Sequence, residues 1–213
     1  MSYLDRIQNA HLDTFKEIGN IGAGHAATAL STLMNKKINM VVPTVQILHF
    51  DDVMEMAGGP DNIVASVFLR IEGDIEGSMF FVLQLEQAAL FIQKLTGDQS
   101  FSFDRPPYSE MALSALQELG NILSGSYLSA LGDFTGLHVF PSVPALAIDM
   151  VGAVMSDGLF EISQYSDYAI FIDTTLKEAD GKASDSVKGH FFLLPDPNSF
   201  WKVLDELGVP LDE

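Results

Sequence analysis

The chain's 213 residues leave room for one large domain or two small ones sharing a core, and its 47% hydrophobic content is too high for a disordered polymer. Its formal charge of −18, from 29 acidic against 11 Lys and Arg side chains, repels phosphate backbones and anionic lipid, which argues against nucleic-acid partners and membrane insertion. It has no cysteine for disulfides, thiol catalysis or Cys-based metal sites, and neither an apolar run of membrane-spanning length nor a signal-peptide layout, so a cytoplasmic protein is expected.

From the N-terminus, Ile7, Leu12, Phe15, Ile18, Ala26 and Leu30 recur at three- and four-residue intervals and predict a helix. Gly22, Ala23, Gly24, Ala26, Ala27 and Ala29 crowd one stretch of it, side chains small enough to let another helix backbone come close. Runs rich in Val, Ile and Phe predict strands over Ile38–Phe50, Ile63–Ile71 and Ser78–Leu85. Asp51–Ala57 reads as a short helix and Gln87–Leu95 as a longer one. Residues 97–107, with Gly, Asp, Ser and a Pro pair, mark a junction. Beyond it the order recurs, with a helix over Ser109–Leu131 and strands near Val143–Ile148, Tyr168–Asp173 and Val187–Leu194. The polar stretch Lys177–Ser186 reads as a hairpin loop, and Ser199–Leu207 as a last helix.

The recurrence is literal. At an offset of 101 residues, Glu17, Gly19 and Asn20 match Glu118, Gly120 and Asn121, and Ile21, Gly24, Ala29 and Leu30 match Ile122, Gly125, Ala130 and Leu131. The same offset carries Pro43 onto Pro144. The predicted architecture is therefore α+β with an internal duplication, one domain over 1–213 built of repeats at about 1–100 and 101–213. Its two pseudo-symmetric halves share a sheet system, and the two long motif helices pack together.

Glu and Asn three residues apart on a helix share one face, with Asp13 or Ser114 a turn earlier. Three alternatives compete at this point. Gly19-Asn20 could end a helix, GNIGAG could cradle a phosphate, or the pair could serve a structural hydrogen bond. The cradle is weakened because GNIGAG matches neither G-x-G-x-x-G nor a P-loop, and because Leu123 replaces Gly22 in the second copy while Glu and Asn persist. An amide, in turn, suits phosphoryl chemistry, since it can hold a water in line with phosphorus without the repulsion of a carboxylate.

The full pattern is Asp or Ser, three residues, Glu, two residues, Asn, 22 residues and Pro. It is met by Asp13, Glu17, Asn20 and Pro43, and again by Ser114, Glu118, Asn121 and Pro144. In this the chain resembles the CheC/CheX/FliY family of bacterial chemotaxis phosphatases over essentially its whole length. Two intact copies resemble the CheC branch more than the single-site CheX branch.

The resemblance implies a hydrolase acting on phosphorylated CheY, with no cofactor of its own and Mg²⁺ supplied by the regulator. It implies that Asn20 and Asn121 orient the attacking water, and that Glu17 and Glu118 pair with a regulator Lys. Pro43 and Pro144 would shape the strand beside each helix. It also implies binding of CheD, a receptor deamidase. The alternative function is a CheD-binding adaptor with weak catalysis; a flagellar switch component ranks behind both. Asp149 is expected to N-cap the helix that follows it, or else to contact the deamidase. The five histidines lack metal-ligand spacing, no G-x-S-x-G elbow occurs, and Met34, Met40, Met54 and Met56 read as core filler.

Overall fold

The apolar spacing of the first segment closes into one uninterrupted helix, α1 (Asn9–Met34), and its repeat into α4 (Glu110–Thr135). These elements come from a computed structural model that describes residues 9–156, 168–181 and 185–206. Neither helix stops at its Gly-Asn step, which excludes a helix end there and a Gly-rich loop. The second helix starts at Ser109, whose side chain accepts from the Ala112 N–H, and ends at Gly136 in the left-handed conformation.

Between and after them lie β1 (Ile38–Val41), β2 (Val45–His49), α2 (Phe50–Met56), β3 (Ile63–Gly73), β4 (Gly77–Gln84) and α3 (Leu85–Thr96). The second half supplies β5 (Val139–Pro141), β6 (Ala145–Met150), helical residues 151–156 (α5), β7 (Tyr168–Glu178), β8 (Val187–Pro195) and α6 (Pro197–Glu206). The long strand expected over Ile38–Phe50 is two strands, because Pro43 interrupts the ladder and Phe50 already opens α2. Likewise β5 precedes the strand expected at Val143. Strand β7 runs to Glu178, so Lys177 and Glu178 belong to a strand rather than to the expected loop, whose residues 182–184 lie outside the described set.

Among the described residues, eight strands join one curled antiparallel sheet in the order β1–β7–β8–β4–β3–β5, with β2 also on β7 and β6 also on β3. The halves are interlocked. Strand β3 of the first half pairs with β5 and β6 of the second, and β7 pairs with β1 and β2 of the first. At the centre β4 meets β8, with Phe80 opposite Phe192 and Phe81 opposite Phe191. Every residue from Gly77 to Leu83 is buried, Ser78 included, so β4 shows no alternation of buried and exposed positions.

The two faces carry separate cores. Ala65, Val67, Leu69 and Ile71 of β3 face α1 and α4, with Phe81 and Phe191 4.7 Å apart between ring centres. Each such ring gains about 2–3 kcal/mol from burial. Val64, Phe80, Phe171 and Phe192 face the other way, under Val53 of α2 and Val151 of α5. Among the methionines, Met40 is core and Met34 and Met54 are half-buried, but Met56 is exposed.

Helices α1 and α4 pack directly on each other, as the small-residue stretch predicts. A Cβ on Gly22 would lie 3.0 Å from the Tyr127 Cα and 3.1 Å from the Ser126 carbonyl oxygen. The repeat places Leu123 and Ala26, both fully buried, at the related positions. A Gly facing Tyr in one place and a Leu with Ala in the other fill comparable volumes. Leu123 therefore replaces Gly22 for reasons of packing.

Candidate functional site

Burial of Phe15, Ile18 and Ala23 turns the opposite stripe of α1 outward, so Asp13, Glu17 and Asn20 are all exposed. Gly19 lets the helix settle on the end of β1, where a Cβ would touch the Val42 methyls at 3.4 Å. That approach positions the amide, and Asn20 Oδ1 accepts from the Val42 N–H at 3.3 Å. Pro43 is next in the chain. Val41 pairs with Thr175 and Val45 with Ile172, so three residues, 42–44, face two across the ladder. Such a bulge is where a residue without an N–H fits a sheet.

The second copy repeats the helix and the bulge. Ser114, Glu118 and Asn121 are exposed on α4, and residues 142–144 interrupt the ladder between the Pro141–Ile71 and Ala145–Phe68 pairs. The fastening differs. Gln117 Nε2 donates to the Pro144 carbonyl oxygen at 2.9 Å. Ser142 clasps Arg70 with two 2.9 Å bonds, its hydroxyl accepting from the Arg70 N–H and its own N–H donating to the Arg70 carbonyl. Val143 consequently points outward at 86% exposure, whereas its counterpart Val42 is 2% exposed. The Asn121 side chain makes no hydrogen bond within the described residues. Sequence reading missed these fastenings, although the polar Ser142 at the place of Val41 was their visible trace.

Asp149 lies elsewhere. It is a β6 residue opposite Val64, not the cap of α5, and among the described residues its Oδ1 accepts from the adjacent Met150 N–H. The first N–H groups of α5 are satisfied by backbone instead, Val151 donating to the Asn62 carbonyl and Gly152 to that of Pro60. Asp149 borders a groove of about 580 Å³ on the sheet face away from α1 and α4, lined also by Ser66, Phe68, Arg70, Phe80 and Ala147.

The motifs on α1 and α4 are thus exposed ridges, each carrying a Glu carboxylate and an Asn amide with Asp13 or Ser114 a turn earlier. Among the described residues, no group of three or more His, Asp or Glu is placed to hold a metal ion. No described helix is long and apolar enough to cross a membrane.

A family model described as the CheC-like family matches residues 11–47 and 111–148, the two stretches that hold the motifs. The chain is 47% identical to a Bacillus subtilis protein named CheY-P phosphatase CheC, over 99% of this chain and all of that one. The chain belongs to the CheC-like family. A second relative, the Bacillus subtilis flagellar motor switch phosphatase FliY, is 32% identical over 68% of the chain and 37% of its own length. In fold, this CheC-like chain resembles Thermotoga maritima FliY, with a TM-score of 0.72 at 20% identity, covering 95% of this chain and 98% of that one. It also resembles the FliM middle domain from H. pylori, with a TM-score of 0.64 at 12% identity, covering 94% of this chain and 99% of that one.

Proposed function

We propose that this CheC-like protein hydrolyses the aspartyl phosphate of the response regulator CheY at two sites, one at each Glu-x-x-Asn pair. The observation that carries the reading is the repeated exposure of an amide and a carboxylate on one helix face. It is supported by end-to-end similarity to a protein named CheY-P phosphatase CheC.

In the proposed reaction, Asn20 or Asn121 enters the regulator's phosphate site and accepts a hydrogen bond from a water, holding its oxygen in line with phosphorus. The water oxygen bonds to phosphorus as the P–O bond to the regulator's Asp breaks, and the water's proton passes to the departing phosphate. The products are inorganic phosphate and a free Asp carboxylate. Such a step depends on alignment and charge stabilisation more than on covalent help, so an orienting amide suffices. The regulator's own Mg²⁺ neutralises charge on the phosphoryl oxygens. Glu17 and Glu118 pair with the regulator's phosphate-site Lys and fix the docking register. Pro43 and Pro144 hold the bulges against the helices, and Asp13 and Ser114 extend the contact by a turn.

A second role is binding of the receptor deamidase CheD. Asp149 and its groove offer a surface on the other side of the sheet from both pairs.

The test is decay of phosphorylated CheY with wild type, Asn20→Ala, Asn121→Ala and the double variant. Each single variant is expected to keep part of the acceleration and the double variant to lose it. Full activity in the double variant would overturn the catalytic assignment. Asp149→Ala is expected to weaken CheD capture while sparing CheY turnover.

A further inference from the structure

The two pairs differ in what stands beside them. On α4, Met111, Ser114, Glu118 and Asn121 follow each other at intervals of three, four and three, so they form one stripe. Met111 is 69% exposed at the head of that stripe, where the repeat puts Ala10 in α1. At its other end stands Val143, tied in through Gln117, which lies one turn from Asn121 and holds the Pro144 carbonyl.

Single exposed apolar residues are common and ordinarily need no explanation. Val143 is set apart by its fastening. The residue before it is clasped to Arg70 and the residue after it is held by Gln117, so the side chain is kept outward by bonds on both sides. A β-branched side chain on a pinned backbone has little freedom left to lose on docking. The matching Val42 is buried, and its N–H is spent on Asn20.

We propose that Val143, with Met111 at the far end of the stripe, is a docking contact for the phosphorylated regulator, and that it makes the Glu118/Asn121 site the tighter-binding of the two. This rests on the function proposed above. The occupant follows from continuity, since a regulator seated with its phosphate at Asn121 covers the stripe and the bulge next to it.

Val143→Ser removes the contact from an exposed position and leaves the core intact. In the Asn20→Ala protein, where only the second pair works, the substitution is expected to raise KM for phosphorylated CheY roughly five- to ten-fold, with kcat unchanged. Val143→Ile is expected to restore the original KM. An unchanged KM, or a fall in kcat alone, would overturn the docking role. So would an equal rise in KM in the Asn121→Ala protein, which works through the first pair only. Failure of the catalytic reading is separate, because it shows as activity surviving in the double Asn variant.

Discussion

Asn20 and Asn121 carry the same amide in different states of restraint. One lone pair of Asn20 Oδ1 is occupied by the Val42 N–H, which leaves the second lone pair and both amide hydrogens for a partner. Asn121 has its full capacity but nothing in the described protein to aim it. A second residue-scale contrast lies on the far face of the sheet. The Phe68–Phe80 ring pair, 4.9 Å apart, is replaced in the other half by Asp173 and His190, with His190 Nδ1 3.3 Å from Asp173 Oδ1 but outside hydrogen-bond geometry. Burial pushes the His190 imidazole below its ordinary range, and Lys188 adds to this, against the opposing pull of Asp173. The unfolded chain therefore takes up a proton at this position before the folded protein does. The resulting stability is present above the unfolded pKa and is lost as pH falls through the folded one. Urea midpoints measured from about pH 7.5 down to about pH 5 are expected to fall less in His190→Gln than in wild type. Parallel curves would remove His190 from the account.

At the scale of elements, the helices separate glycines that look alike in the sequence. A Cβ on Gly120 would sit 2.5 Å from a Val67 methyl, whereas one on Gly24 would meet nothing within 4 Å. Alanine is worth about 1 kcal/mol over glycine inside a helix, and overpacking costs about 1–3 kcal/mol. Gly24→Ala is thus expected to raise stability by about 0.5–1 kcal/mol, and Gly120→Ala to lower it by up to about 2 kcal/mol once the propensity gain is subtracted. Thermal melts of the two variants should move in opposite directions. The helices themselves were legible, since apolar spacing and the repeated Glu-x-x-Asn need only local order. Which glycine meets Tyr127 and which faces solvent depends on a partner helix about a hundred residues away, and spacing carries no such information. The break at Pro43 was misread for a related reason. A run of Val and Ile looks continuous until the partner strand shows where a residue is left over.

For the whole molecule, the duplication was legible only as far as it kept step. Strand β5 starts 101 residues after β1, but β7 starts 105 after β3 and β8 110 after β4, from Ile38 to Val139, Ile63 to Tyr168 and Gly77 to Val187. Insertions in the second half hid the later correspondence, and strand order across the halves left no local trace at all. We propose that residues 1–213 nevertheless fold as one unit, because each half supplies the sheet partners of the other. A single unfolding transition is expected by both circular dichroism and Tyr/Trp fluorescence. Residues 1–100 expressed alone should not give a cooperative melt, whereas mixing both halves should restore one. Two independent transitions in the intact chain would contradict this.

Interlocking also sets a timetable for synthesis. β1 and β2 are made within the first 49 residues, yet the strand that covers them, β7, ends at Glu178. At about 5–20 residues per second, a ribosome leaves those strand edges without their partner for roughly 6–25 seconds. Through that interval the nascent chain exposes apolar β segments able to pair with a neighbouring chain. Slow stretches of messenger after the first half would lengthen the exposure, so yield in the cell should depend on translation speed between the two repeats and on the supply of chaperone at the tunnel exit.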